Sequence, residues 1–273
     1  MIWLFIAALI LLFGLIFYII IHNQNTCNQL KEAFDRCNVI VYGKKGTGKD
    51  LLFQKVINLR KKEYYSNISY GGNYHNIKMA DLELKNNTYD NFIKGTINIC
   101  QKPLFEGKDI YFSDIGTIAP SQCDSSLHKT YPSFPITYAL SRHLYANNIH
   151  CNCQNLERVW KALREQADFY IKCRRKLSIG PFIVSFITLY DKYESAKNNI
   201  LPMKVRFSNE NSKALSDQFN ATYGLIRNRF FIQLKKKIYY DTRAYHKIVF
   251  GIPSPCPLGL PPLIFPFMRK HKR

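Results

Sequence analysis

Asn38-Val-Ile-Val-Tyr42 runs directly into Gly43-Lys-Lys-Gly-Thr-Gly-Lys49-Asp50. The first stretch reads as a short buried strand. In residues 51–62, Leu52, Val56 and Leu59 recur along one side, which predicts a helix. Strand, glycine loop and helix form the context that a phosphate-binding loop requires. Gly43, Gly46 and Gly48 let the backbone turn and approach an anion, while the loop amides and the helix N-terminus face it. The expected nucleotide-binding set is Gly43, Lys44, Lys45, Gly46, Thr47, Gly48, Lys49, Asp50 and Leu51, with ATP as ligand. Lys49 would reach the β- and γ-phosphates. Asp50 stands where a Ser or Thr hydroxyl ordinarily ligates magnesium. A carboxylate is a good Mg2+ ligand, yet it sets negative charge beside a triphosphate. The competing reading is a Gly- and Lys-rich turn that binds nothing.

A metal site needs an acid at the end of a buried strand, and Asp109-Ile-Tyr-Phe-Ser-Asp114 supplies one. Asp114 lies about sixty-five residues past the loop lysine, a spacing that suits two crossover units of a parallel sheet. Asp114, with Asp50, is therefore the candidate magnesium ligand; a turn or helix cap is the alternative for a strand-end Asp. The next residue is Ile115, so no acid follows to polarise an attacking water. Asn148-Ile-His-Cys-Asn-Cys-Gln154 reads as another strand, between helices expected over 135–146 and 156–167. Gln154 at its tip is a candidate contact to the γ-phosphate or the attacking water, or else a surface amide. Arg142 and Arg164 are candidate arginine fingers for a neighbouring subunit, against the reading of solvated helix charges.

The chain has 273 residues, a net charge of +20 and 47% hydrophobic residues, which excludes a disordered tail, a collagen-like chain and a small disulfide scaffold. Such a basic balance suits a phosphate or anionic lipid partner, against the reading of a merely basic proteome background. No charged side chain precedes Lys31, and residues 2–21 are an apolar run. Twenty residues span ~30 Å as a helix, the thickness of a bilayer core. The run lacks the basic start and small-residue cleavage site of a signal peptide. Lys31, Arg36, Lys44, Lys45 and Lys49 follow it, so the positive-inside bias puts the C-terminal bulk in the cytoplasm. None of the eight cysteines forms a CxxC pair. Cys151 and Cys153 read as buried strand thiols rather than as half of a zinc site with His150.

The order of these elements resembles the zonular-occludens-toxin-like ATPases, which include the gene I assembly proteins of filamentous phages and are similar to the FtsK–HerA group. Four stretches carry the resemblance: 43–50, Tyr65-Ser-Asn-Ile68 before Gly71-Gly72, Tyr111-Phe-Ser-Asp114, and Ser141-Arg-His143 through Gln154 to Arg164. The resemblance implies an α/β fold, a RecA-like P-loop NTPase with a mostly parallel sheet, here preceded by one N-terminal transmembrane helix. It implies ATP with magnesium, a homo-oligomeric ring on the membrane, and extrusion of single-stranded phage DNA with its coat or pore proteins as partners. Lys49 would be the phosphate lysine, Asp114 the metal carboxylate and Gln154 the sensor. Asp50, Ile115 and the N-terminal placement of the span depart from the family pattern; the last is more like conjugative coupling proteins.

The expected organisation is an anchor over 1–22, a linker over 23–37, an ATPase core over 38–180, a β-rich extension over 181–250 and a Pro-rich basic tail over 251–273. The tail reads as extended, since its prolines bar a regular helix. The extension holds a strand run at 182–190 after a strand at 169–173, and a helix over 211–223 with Leu215 and Phe219 on one side. Lys235-Lys-Lys237, near Arg227, Arg229 and Arg243, suits either a single-stranded nucleic-acid track or an edge strand guarded by lysines. Together these features predict a single-pass ATPase of a host inner (plasma) membrane, coupling hydrolysis to phage extrusion or DNA translocation. The alternatives are a nucleotide-binding membrane scaffold without turnover and a conjugative-type coupling protein.

Overall fold

The computed structural model describes residues 2–83, 107–145, 147–202 and 210–235. Eight strands form one sheet: β1 (Val39–Tyr42), β2 (Tyr64–Ser66), β3 (Tyr74–Asn76), β4 (Asp109–Phe112), β5 (Ile149–Cys153), β6 (Phe169–Ile179), β7 (Phe182–Tyr190) and β8 (Ile226–Leu234). Their spatial order is β3-β2-β4-β5-β1-β6-β7-β8. Every pairing from β3 to β6 is parallel, and β7 and β8 add to that edge antiparallel. One strand, β5, therefore separates the strand that feeds the glycine loop from the strand that leads to Asp114. The fold is α/β with a mostly parallel sheet, as expected of a RecA-like P-loop NTPase.

The parallel strands are buried on both faces, so they read as unbroken apolar runs rather than alternating ones. Ile40, Tyr42, Ile110, Phe112, Cys151 and Cys153 enter one core with Phe134, Tyr138 and Trp160. Val39, Val41 and Tyr111 enter the other, against Leu30 and Phe34 of helix α1 (Ile2–Arg36) and Leu52, Phe53 and Val56 of helix α2 (Lys49–Arg60). On that second face Arg60, at the end of α2, bridges Asp35 and Asp109, each at 2.6 Å.

Helix α1 has two lives. Its first part is long and apolar enough to cross a membrane: the most apolar 18-residue window has a mean hydropathy of 2.7, and none of it is buried. Residues 23–36, expected as a linker, continue the same helix, and Leu30 and Phe34 are completely buried. Asn23 Oδ1 accepts the Ile232 amide at 2.8 Å, and His22 stacks on Phe230 at 4.1 Å.

Two expected helices are broken. The 135–146 helix is a pair, Phe134–Ala139 and Ser141–Tyr145, with the Ser141 hydroxyl drawn onto Asn38 Oδ1 at 3.1 Å; Ala146 lies outside the described residues. The 156–167 helix is a 3-10 turn, Leu156–Arg158, and a short helix, Lys161–Arg164. Leu156, Val159, Trp160 and Leu163 are all buried, as their spacing suggested, but Val159 bridges to Pro120 and the Trp160 amide donates to Ala119 O. Tertiary pairing overrides the helical period there. The strand pair after 169 is a long β6–β7 hairpin, and Phe219 of the Glu210–Tyr223 helix packs on the first core while Leu215 is exposed. Cys100, Cys256, Lys236, Lys237, the 240–243 segment and the Pro-rich tail lie outside the described residues.

Candidate functional site

The glycine loop sits at the carboxyl end of β1. Gly43 has φ 153°, and a Cβ there would meet the Cys173 carbonyl oxygen at 2.4 Å, so only glycine lets the loop lie this close to β6. Gly46 and Gly48 take φ 83° and 99°, and a Cβ on Gly46 would meet nothing within 4 Å. The loop thus has a backbone-crowded root and an open crest. Gly48 is the N-cap of α2, and it has no side chain to satisfy the first amides of the helix. Those amides, and the positive end of the helix, are left for an external acceptor.

Lys49 opens α2. It is buried, and its Nζ donates to Gly43 O at 3.0 Å and Lys44 O at 3.4 Å. The ammonium is held inside the loop's curve, next to the carbonyls it must leave to reach a phosphate. Lys44 and Lys45 are exposed on the loop; the Leu51 side chain is buried beneath Gly48 and can offer a ligand only its backbone.

Asp50 does not point away from the core. Its Oδ1 accepts three hydrogen bonds: from Tyr70 OH at 3.1 Å, Ser113 Oγ at 3.2 Å and Asn152 Nδ2 at 2.9 Å. One carboxylate thus ties the first turn of α2 to the segment after β2, to the end of β4 and to β5. Asn152 closes the circuit, since its Oδ1 accepts the Asp114 amide at 2.8 Å. Asn67 pins the same strand end, accepting from the Ser113 amide at 2.7 Å and donating to Ser113 O at 3.0 Å.

Asp114 follows β4 in the left-handed region, φ 55° and ψ 45°. For a residue other than glycine this conformation is uncommon, though Asp tolerates it better than most. Asn152 fixes it from below. Burial pushes the Asp114 carboxyl above its usual range, the nearby Lys49 ammonium opposes that, and the Asp50 carboxylate reinforces it. Lys49, Asp50 and Asp114 therefore share one electrostatic neighbourhood. Two carboxylates, a buried lysine and a glycine loop at a helix N-terminus form a donor set that fits a magnesium–nucleotide pair. Ile115 is fully buried in the first core, so the position after Asp114 is closed to catalysis.

Of the other candidates, Arg142 and Arg164 bond to backbone oxygens outside this cluster. Gln154 is exposed just beyond the end of β5. Arg142 Nη1 donates to Arg36 O at 2.7 Å, near the start of β1 and so at the opposite end of the strands from the loop. Arg164 Nη1 donates to Glu157 O at 2.9 Å, and its guanidinium lies 5.9 Å from the Tyr193 ring centre. Cys151, Cys153 and Cys173 are buried thiols; burial pushes Cys173 up to about 12. Among the described residues no three His, Cys, Asp or Glu side chains gather as a metal site.

Sequence reasoning missed Asn152, Ser113, Tyr70 and Asn67. The legible signal was a polar amide inside the buried strand His150-Cys-Asn-Cys153: Asn152 is 1% exposed, and burying an amide demands partners.

No protein-family model matches the sequence, and no curated protein matches it. Among solved structures, the chain is similar to the N-terminal domain of zonular occludens toxin from Neisseria meningitidis, with 12% identity and a TM-score of 0.40 over 77% of this chain and 97% of that one. It is similar to the genome packaging NTPase B204 of Sulfolobus turreted icosahedral virus 2, with 13% identity and a TM-score of 0.37 over 71% and 96%. It is also similar to EssC (ATPases 2 and 3) from Geobacillus thermodenitrificans, with 12% identity and a TM-score of 0.36 over 83% of this chain and 47% of that one. What Lys49, Asp50, Asp114 and Asn152 can do follows from their own geometry rather than from these likenesses.

Proposed function

We propose that this chain is a membrane-anchored ATPase that couples ATP hydrolysis to moving DNA, or DNA with coat subunits, through a host membrane. It works as a homo-oligomeric ring, with the sheet domain on the cytoplasmic side. The single observation that carries the ATP half is the joining of Lys49, Asp50 and Asp114 at the mouth of a glycine loop that opens a helix. The loop amides and Lys49 hold the phosphates and stabilise the charge that spreads over the phosphoryl oxygens. Asp114 and Asp50 would hold magnesium, which would neutralise phosphate charge when bound. Asn152 keeps both carboxylate-bearing segments in register, and Gln154 at the same strand end orients the attacking water. Arg142 or Arg164 serves a neighbouring subunit's site.

The membrane half is supported by the exposed apolar part of α1 and by the basic residues that follow it. The transport half is supported by the resemblance of the motifs and by the net charge of +20.

Two observations favour a second reading, a nucleotide-binding scaffold without turnover. Ile115 is sealed in the core, and Asp50 Oδ1 is occupied by three donors. Phosphate release by the full chain in vesicles, with Lys49→Ala alongside, separates the two. Turnover abolished by Lys49→Ala supports the ATPase. ATP-dependent thermal stabilisation without phosphate release supports the scaffold. Stimulation of turnover by single-stranded DNA, lost with rising salt, supports the transport half.

A further inference from the structure

Strand β6 does not stop where β1 stops. Its ladder with β1 ends at Lys172, opposite Tyr42, yet the strand continues to Ile179, turns through Gly180-Pro181 and returns as β7. At ~3.3 Å per residue the hairpin projects roughly 20 Å past the edge of the parallel sheet that carries the glycine loop. The projecting part carries apolar side chains into the open: Leu177 is 41% exposed, Ile179 59% and Phe182 44%. Leu177 pairs with Val184 and Ile179 with Phe182, so the four share one face of the hairpin. Single exposed apolar residues need no explanation; a contiguous group at the tip of an arm does. Arg174, Arg175 and Lys176 are exposed directly behind it.

Helix α1 shows what the tip faces. Arg229 Nε donates to Gln29 Oε1 at 3.1 Å, and the Ile232 amide donates to Asn23 Oδ1 at 2.8 Å. Moving back along α1 from Gln29 to Asn23 therefore means moving along β8 from Arg229 towards Leu234, which pairs with Phe182 at the tip. The apolar part of α1 leaves the domain in the direction in which the hairpin points. From Ile232 to Leu234 is ~7 Å, and the same rise takes α1 back four or five residues, to about Tyr18. The tip is level with the last turn of the apolar stretch.

We propose that the β6–β7 tip is a second membrane contact, in which Leu177, Ile179 and Phe182 enter the interface of the leaflet from which α1 emerges, with Arg174, Arg175 and Lys176 against anionic headgroups. The proposal rests on the reading of α1 as a membrane span. A bilayer is the occupant because the apolar tip is continuous in level with an apolar helix, and because cations lie where headgroups would be.

The test uses the full chain reconstituted in phosphatidylcholine/phosphatidylglycerol vesicles. A photo-crosslinking amino acid replaces Phe182, or Leu177 in a second variant. Phe13 in the span and Lys62 on the opposite edge are the reference positions, and an unchanged melting temperature checks folding. The expected result is lipid adduct at 13 and at 182, about tenfold above that at 62, with the 182 signal falling in purely zwitterionic vesicles. Adduct at 13 with none at 182 or 177 overturns the proposal and leaves the span standing. Adduct at 182 with none at 13 removes the span and overturns the proposal of a second contact beside it. Adduct at neither position overturns both. Crosslinking from 182 to a second protein copy in place of lipid also overturns it.

Discussion

Asp50 on the first turn of α2 accepts a hydrogen bond from Asn152 of β5 at 2.9 Å, and the other end of that amide accepts the Asp114 backbone N–H at 2.8 Å. The residue in the usual hydroxyl position of the loop is thereby a structural keystone as well as a candidate metal ligand. The segment bearing Asp114 is held by this amide together with the Ser113 hydroxyl on Asp50 and the Asn67 side chain on Ser113.

Asp50→Ala strands three donors that now share one charged acceptor. The expected loss is about 2–3 kcal/mol in urea unfolding, whereas Asp50→Asn, which keeps the acceptor, stays within about 1 kcal/mol of the parent. Equal stability of all three proteins would show that the network holds nothing. If the carboxylate also opposes a triphosphate, Asp50→Thr tightens ATP binding in calorimetry at millimolar magnesium.

Asn152→Ala frees Asp114 from its tie while leaving every loop residue in place. ATP turnover is expected to fall about 10- to 100-fold, with a much smaller change in ATP affinity. A parallel loss of affinity would mean that Asn152 supports the loop rather than the metal carboxylate.

Gly43→Ala places a methyl 2.4 Å from the Cys173 carbonyl oxygen, in a backbone conformation that L side chains rarely adopt. The loop must leave its seat against β6. Loss of ATP-dependent thermal stabilisation is expected, with a drop of about 2 kcal/mol or more in stability. Gly46→Ala meets no atom, has only the positive φ against it, and is expected to be the milder variant.

His150 is completely buried between Phe34 and Tyr111, at 4.5 and 4.9 Å between ring centres, and neither ring nitrogen has a partner. Burial holds its pKa well below the usual value, and the Arg60 guanidinium pushes the same way. A histidine lowered in the folded state contributes stability above pH ~6.5 that is lost as pH falls, at up to about 1.4 kcal/mol per unit. Asp109 runs the other way: burial pushes it up to about 6 despite Arg60, so its share is full in acid and is lost as pH rises through that value. His150→Phe should remove the first slope alone, making the protein relatively more stable at pH 5 than at pH 7. Melting temperatures of the parent and variant across that range decide it; parallel curves would refute it.

Phe34→Ala tests whether the end of α1 belongs to the core. Phe34 is fully buried against Phe53, Tyr111 and His150. A loss of about 3–5 kcal/mol is expected, as for any large aromatic removed from a core. Removal of residues 1–22 should leave a cooperative unfolding transition, while removal of 1–37 should abolish it.

The loop, the two strands around it and the apolar helix were legible because each is a local pattern: glycines at fixed spacing, short apolar runs, an uncharged stretch before Lys31. The continuation of α1 through 23–36 was not, since its polar residues give no stop signal and mask the short stripe of Cys27, Leu30 and Phe34 that the core buries. The break at Val159-Trp160 was hidden for the opposite reason. Leu156, Val159, Trp160 and Leu163 have a helical period that a bridge to Pro120 overrides. Asn152 was not legible because a polar residue is expected at a strand tip, where Gln154 stands, whereas the amide that reaches the loop lies two positions earlier, on the face of β5 that looks towards α2.

Helix α1 joins the apolar stretch to the core without a break over 35 residues, then reverses directly into β1 and the glycine loop. A helix of that length is a rod of ~50 Å, not a leash. Its inner half is clamped by buried side chains, so the outer half cannot swivel independently. Any tilt of the loop-bearing edge during turnover is delivered to the apolar end as angular displacement. Subunits gathered around a common axis would have their pitch dictated by that rod. Two or three glycines inserted near residue 22 would keep the attachment and remove the mechanical linkage.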